Sequence, residues 1–428
     1  MQSSSSNRRR VFLAGAVAGS AALCPPAAGD DAADAPGDAW VADPAAVERA
    51  ETRRPGFLFR EAGVPGFRLP DPLEGVADGG WEQRRRALLE AFRRSVHGHR
   101  PEAIPAARFD AVETRDRALG GTAVLQRIRA VLEVDGREFA FSFVVALPIG
   151  RSAPRPGAVV LINHRSAPSL DGIEAGGDGF WPAREILARG HAAAAVAALE
   201  VDPDRPDGYE EGVRGFLAGG RPPLDDDWRT LSAWAWGAGV VAGFLADSGH
   251  VDPARVAVAG HSRGGKAALW AAAEDTRFDV AFANGSGCGG AALSRRRFGE
   301  TIGRVTGRFP HWFVPAFAGF EGREQELPFD QHTLISLVAP RGVYVSSACE
   351  DLWADPRGEY LSLVHAAPVY ERLGVDAVSH PTPPPPGEPR VRGATGYHIR
   401  SGGHDLTATD WALFLGFLDH RWGPPAEP

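Results

Sequence analysis

Serine, a carboxylate and histidine, in that order along the chain, are residue types that can carry an acyl group through a covalent intermediate. Here each follows an apolar run. Ser262 stands in Gly260-His261-Ser262-Arg263-Gly264, between the β-type run Val256–Ala259 and an alanine-rich helical run. On such a strand-to-helix turn a serine is strained, exposed at the sheet edge and close to the positive end of a helix dipole. An activated serine also needs a base, a group that orients the base, and donors for the oxyanion. His404 is the expected base, because its imidazole titrates near neutrality and it lies on the loop Ser401-Gly402-Gly403-His404-Asp405. His398, inside a strand pattern, and His380, beside a proline run, read as structural or exposed. The acid is expected after the run Gly342–Ser347, where Glu350 and Asp351 are adjacent and so point in different directions. Asp351 is assigned, with Glu350 in reserve; Asp355 reads equally as a cap for the helix after Pro356.

The positive charges carry a second signal. Of 46 Lys and Arg residues, the single lysine is Lys266, four residues after Ser262. Residues i and i+4 share a helix face, and an ammonium does not substitute for a guanidinium. Lys266 is therefore read as functional.

The elements that must position these residues follow from the apolar pattern. Trp81–His97 reads as a helix with Trp81, Leu88, Leu89 and Phe92 on one face. Thr122–Val134 and Arg137–Leu147, joined by Asp135-Gly136, read as a hairpin. Apolar strands Ala158–Asn163, His191–Leu199, Val256–Ala259, Val280–Ala283, Gly342–Ser347 and Tyr397–Arg400 then follow. They alternate with helices that include Trp181–Ala188, Thr230–Ala246 and a closing helix Leu406–Leu418. Pro381–Pro389 reads as a surface loop. An antiparallel start followed by parallel βα units predicts an α/β three-layer sandwich of the α/β-hydrolase type, with a mostly parallel central sheet.

Composition bounds the rest. The chain has 428 residues, 44% of them hydrophobic and 23% charged, with a formal net charge of −8. That balance argues against nucleic acid or an anionic membrane as a partner. Residues 1–29 read as an export leader: Arg8-Arg9-Arg10-Val11-Phe12-Leu13 has the twin-arginine pattern, and the apolar stretch behind it is too short to span a bilayer comfortably. A lipid anchor at Cys24 is the lesser reading. Residues 30–42 read as a flexible tether and 43–428 as the catalytic domain, periplasmic or secreted, with no lasting membrane association and a monomer as the expectation. Cys288 and Cys349 each follow a predicted strand, which allows one disulfide between them.

Five motifs together carry a resemblance: Gly260–Lys266, Asn284–Ala292, Phe309–Phe313, Leu327–His332 and Glu350–Pro356. The chain resembles the bacterial glucuronoyl esterases of carbohydrate esterase family 15 over roughly residues 45 to 425. The resemblance implies a serine esterase acting on esters of (4-O-methyl-)glucuronic acid in glucuronoxylan, at its junction with lignin alcohols, with no metal or organic cofactor. It also implies that Arg263 serves the oxyanion, Lys266 and Glu300 contact the sugar, and Trp353 lines the sugar pocket. The chain departs from many members at Gly285, where they carry the acid. An acetyl-xylan or short-chain carboxylesterase on the same fold is the alternative, and a non-catalytic glycan-binding protein the lesser one.

Overall fold

A computed structural model describes residues 40–77, 79–150, 155–177 and 179–423. The leader, with Cys24, and nearly all of the tether lie outside these residues. Ten strands form one sheet: β1 Arg108–Arg117, β2 Ala123–Val134, β3 Arg137–Pro148, β4 Ala158–Asn163, β5 Ala192–Ala197, β6 Val256–His261, β7 Val280–Asn284, β8 Gly342–Ala348, β9 Arg390–Arg392 and β10 Thr395–Arg400. Their order across the sheet is β1-β2-β3-β5-β4-β6-β7-β8-β10-β9. From β5 to β10 the pairing is parallel, while β1, β2, β3 and the edge strand β9 pair antiparallel.

The central strands are buried on both faces, and their side chains alternate between two cores. Val256 and Val258 of β6 join the larger core, whereas Ala257 and Ala259 join the smaller one. Helices cover both faces, so continuous apolar runs are what such strands require. The helices used below are α1 Pro44–Arg53, α2 Trp81–Phe92, α3 Thr230–Asp247, α4 Arg263–Glu274, α5 Ile302–Arg308, α6 Pro356–Arg372 and α7 Ala408–Trp422. From Trp40, whose ring already packs on the core, the described chain belongs to one compact unit. None of its helices is long and apolar enough to cross a membrane.

Most predicted elements form within a few residues of their expected bounds, and the hairpin turns at Asp135 and Gly136, both with positive φ. Three differences have physical causes. Strand β1 was not expected, because its charged sequence Arg-Phe-Asp-Ala-Val-Glu-Thr-Arg-Asp-Arg has no buried face; it is a charged edge strand. The run expected as a strand to Leu199 ends at Ala197 and turns into a short helix at Ala198–Val201. The disulfide does not form: Cys288, buried in the main core, and Cys349, half-buried against it, are both free thiols.

Strand order also locates the site. From β4 the chain crosses to β5 on one side and returns to β6 on the other, so successive connections diverge between β4 and β6. In open α/β sheets ligands bind at such a switch point, outside the carboxyl ends of the strands. Ser262 directly follows the carboxyl end of β6.

Candidate active site

The turn at Ser262 is built by close backbone approach. A Cβ on Gly260 would lie 2.1 Å from the carbonyl oxygen of Gly264, so strand and helix can meet there only without a side chain. Ser262 itself has φ 54° and ψ −123°, a strained conformation for a non-glycine residue. Its N–H donates to the Asn284 carbonyl at 2.8 Å. Its hydroxyl lies 2.9 Å from His404 Nε2, and His404 Nδ1 lies 2.6 Å from Asp351 Oδ2. Burial works against protonation of His404, but the hydrogen bond and charge of Asp351 prevail and hold its pKa above the ordinary imidazole value.

The two adjacent acids separate as their opposed directions require. Asp351 is buried against His404, whereas the Glu350 side chain is 55% exposed and reaches Arg49 at 3.8 Å. Asp355 caps α6 through the Gly358 N–H and binds Arg296, a structural role. A Cβ on Gly285 (φ 50°) would sit 3.4 Å from His404 Nδ1 and 3.5 Å from Asp351 Oδ2. A carboxylate from β7 would therefore approach the same imidazole nitrogen that Asp351 occupies from β8.

Beneath these residues runs a polar row that sequence reading missed. Strand register places His261, Asn284, Ser346 and His398 side by side on β6, β7, β8 and β10. His261 Nδ1 meets Asn284 Oδ1 at 2.5 Å, and the Asn284 amide donates to Ser346 Oγ at 2.7 Å and Asp410 Oδ1 at 3.1 Å. His398 lies between Tyr344 and Asp410, a buried structural histidine as expected. Burial, then the nearby charge of His404, push His261 down to about 4, so at neutral pH it is an uncharged neighbour of His404.

Asp410 also anchors Arg400 at 2.7 Å, and Arg400 donates to the carbonyls of Ser401, Gly403 and Asp405. One guanidinium thus clamps the loop that carries His404. Arg400→Ala should lower kcat for ester hydrolysis by about 100-fold with a smaller change in KM, because misplacing a catalytic group by about 1 Å has that effect. Arg400→Lys should recover little, since an ammonium lacks the fork that spans three carbonyls. Steady-state kinetics check this, and an unchanged kcat would show that the loop is held by other means.

The remaining predicted residues converge on one side of Ser262. Lys266 is buried; its Nζ donates to the carbonyls of Ser286 (2.7 Å) and Cys288 (2.6 Å) and lies 3.1 Å from Glu300 Oε2. The other Glu300 oxygen accepts from the Trp353 indole at 3.3 Å. Glu359, fully buried on α6, holds the loop behind Lys266 by accepting from Ser286 Oγ, the Gly287 N–H and Ser347 Oγ. Burial pushes its carboxyl up to about 7, against the opposing effect of those three bonds. Nothing in the sequence marked Glu359, because an acid inside an amphipathic helix reads as surface.

Arg263 is oriented by an acid that sequence reading also missed. Its guanidinium pairs with Asp204 and faces the rings of Trp312 (4.8 Å) and Phe309 (5.3 Å). Asp204 further accepts from His311 Nε2 at 2.9 Å and the Trp312 indole at 2.6 Å. Burial alone would raise the Asp204 carboxyl, but these bonds and the Arg263 charge hold it down at about 2. The signal for Asp204 was its place just beyond the carboxyl end of β5, in the loops that carry function in such sheets. Arg263 Nε is buried without a hydrogen-bond partner, and the Arg263 backbone N–H opens α4, where a helix's first N–H groups have no intrahelical acceptor. Both are donors beside Ser262.

Ser262, Arg263, Lys266, Glu300, Trp353 and His404 together line a cavity of about 230 Å³. Among the described residues no group of three or more His, Cys, Asp or Glu side chains is placed to hold a metal ion. The arrangement offers a nucleophile, a base with its orienting acid, anion-stabilising donors, and a polar and aromatic wall suited to a sugar.

The family model for fungal glucuronyl esterases matches residues 224–374. A carbohydrate esterase from an unknown prokaryotic organism is 35% identical over 91% of this chain and 96% of its own length. A 4-O-methyl-glucuronoyl methylesterase of Schizophyllum commune is 26% identical over 73% of this chain and 76% of its own. The solved glucuronoyl esterase of Solibacter usitatus superposes with a TM-score of 0.78 at 35% identity, covering 85% of this chain and all of that one. With a strained serine at the carboxyl end of β6 on the fold these proteins share, the chain belongs to the glucuronoyl esterases of carbohydrate esterase family 15.

Proposed function

We propose that this enzyme hydrolyses esters between (4-O-methyl-)glucuronic acid and an alcohol in glucuronoxylan. The observation that carries the reading is one continuous cleft. In it the Ser262–His404–Asp351 chain of hydrogen bonds adjoins Lys266, Glu300 and Trp353, whose polar atoms are already bonded to one another. A site that presents fixed donors and acceptors to hydroxyl groups favours a sugar acid over a plain acyl group, because an unmatched buried polar group is costly.

The mechanism then follows from the positions. Ser262 Oγ attacks the C6 carbonyl of the uronate while His404 Nε2 takes its proton, and Asp351 stabilises the imidazolium. The Arg263 side chain and the N–H groups at the start of α4 face the developing oxyanion, a charge-assisted arrangement. His404 returns the proton to the departing alcohol, and a water deprotonated by His404 then releases the uronate. Export through the leader at residues 1–29 would bring the enzyme to plant polysaccharide, and no cofactor is needed for any step.

Comparing kcat/KM on benzyl glucuronate with acetate release from acetylated xylan tests the reading. The uronate ester should be preferred by about 100-fold or more, the discrimination expected when a site's buried polar groups recognise hydroxyls. Faster acetate release would overturn the assignment in favour of an acetyl esterase.

A further inference from the structure

Charge in the cleft is matched at its floor and unmatched at its rim. Arg263 is paired with Asp204 and Lys266 with Glu300. Arg54, Arg304 and Arg308 also line the cleft, are exposed, and pair with no carboxylate among the described residues. Each lies instead over an aromatic ring: Arg54 at 3.9 Å from the Trp353 centroid, Arg304 at 5.9 Å from Phe57, and Arg308 at 5.4 Å from Phe309. A ring face steadies a guanidinium without neutralising it and leaves its in-plane N–H donors free. Arg304 and Arg308 stand one turn apart on the same face of α5. Partial burial lowers the Arg54 pKa; the charges of Asp351 and Glu300 oppose that, and those of Arg304 and Arg308, close enough to be felt, add to it. Three like charges held together in this way are relieved by an anion.

The reacting carboxyl cannot be that anion, because an ester is neutral. We propose that Arg54, Arg304 and Arg308 form an anion subsite at the rim of the catalytic cleft. It takes a second carboxylate of the substrate, carried either on the glycan next to the esterified uronate or on the alcohol portion. The preferred substrates are thus esters that are already anionic, a property that the uncharged reacting group would not select. The inference rests on reading the cleft as a uronate-ester site.

The test compares three esters on the full-length enzyme at low salt. They are benzyl glucuronate, the glucuronate ester of 4-(hydroxymethyl)benzoate, and a xylo-oligosaccharide bearing one benzyl-esterified and one free glucuronate. The expected result is a kcat/KM about fivefold higher for at least one anionic ester than for its neutral counterpart, as several partly exposed ion pairs supply. Which ester gains tells whether the carboxylate sits on the alcohol or on the glycan. The ratio should fall to about one in the double variant Arg304→Gln/Arg308→Gln, and in the unaltered enzyme as ionic strength rises to about 0.5 M. Ratios near one for both anionic esters, or a preference that survives both the double substitution and salt, would overturn the subsite while leaving the esterase reading intact. No turnover of benzyl glucuronate would overturn that reading, and the subsite with it.

Discussion

Asp351→Asn is expected to lower kcat by about 10⁴-fold, the effect of presenting the base in the wrong tautomer behind an intact geometry. The asparagine amide would face His404 Nδ1 at the 2.6 Å position that the carboxylate now occupies, and it supplies no countercharge to the imidazolium. The pH profile should move with it. In the unaltered enzyme Asp351 raises the His404 pKa, so kcat/KM falls as pH drops through a value above that of free imidazole. Without Asp351 the imidazole is protonated less readily, and this acid limb should shift to lower pH. Glu350→Gln should change kcat by less than about twofold, since its long, half-exposed contact with Arg49 contributes little. Measured side by side over pH 4 to 9, small and equal losses in the two variants would mean that neither residue is the acid.

Ser262→Ala should remove about 10⁶-fold in kcat, as loss of the nucleophile does in enzymes whose triad acts as a unit. The His404 and Asp351 positions need not change, because their own bond is independent of Ser262. Lys266, Glu300 and Trp353 keep one another in place as well, so glucuronate should still bind to the variant, measurably by calorimetry. Residual turnover within about tenfold of the unaltered enzyme would remove Ser262 from the mechanism, since no such loss survives deletion of a covalent nucleophile.

The parts of this site that were legible in the sequence are those encoded by neighbouring residues. A run of apolar residues ending in Gly260-His261-Ser262-Arg263-Gly264 specifies a strand, a tight turn and a helix, because the glycines permit an approach that any side chain would block. The same local logic marks His404 on a glycine-rich loop, the Asp135-Gly136 hairpin and Lys266 one turn beyond Ser262. Other features depend on which distant segments meet. Ser262 and His404 are 142 residues apart and His404 and Asp351 are 53 apart. The choice between Glu350 and Asp351 is made by the angle at which the chain leaves β8, which neither residue type specifies. The partner of Arg263 comes from the loop after β5, and the clamp on the His404 loop from Asp410 through Arg400. Both are long-range ion pairs between residues that, taken alone, resemble surface charges. Pattern and turn chemistry thus determined the turn that carries Ser262, the loop that carries His404 and the sheet beneath them. Only the tertiary structure, by bringing charged side chains together across strands and burying them, decided which acid meets His404, what holds Arg263, and which arginines pair with no carboxylate among the described residues.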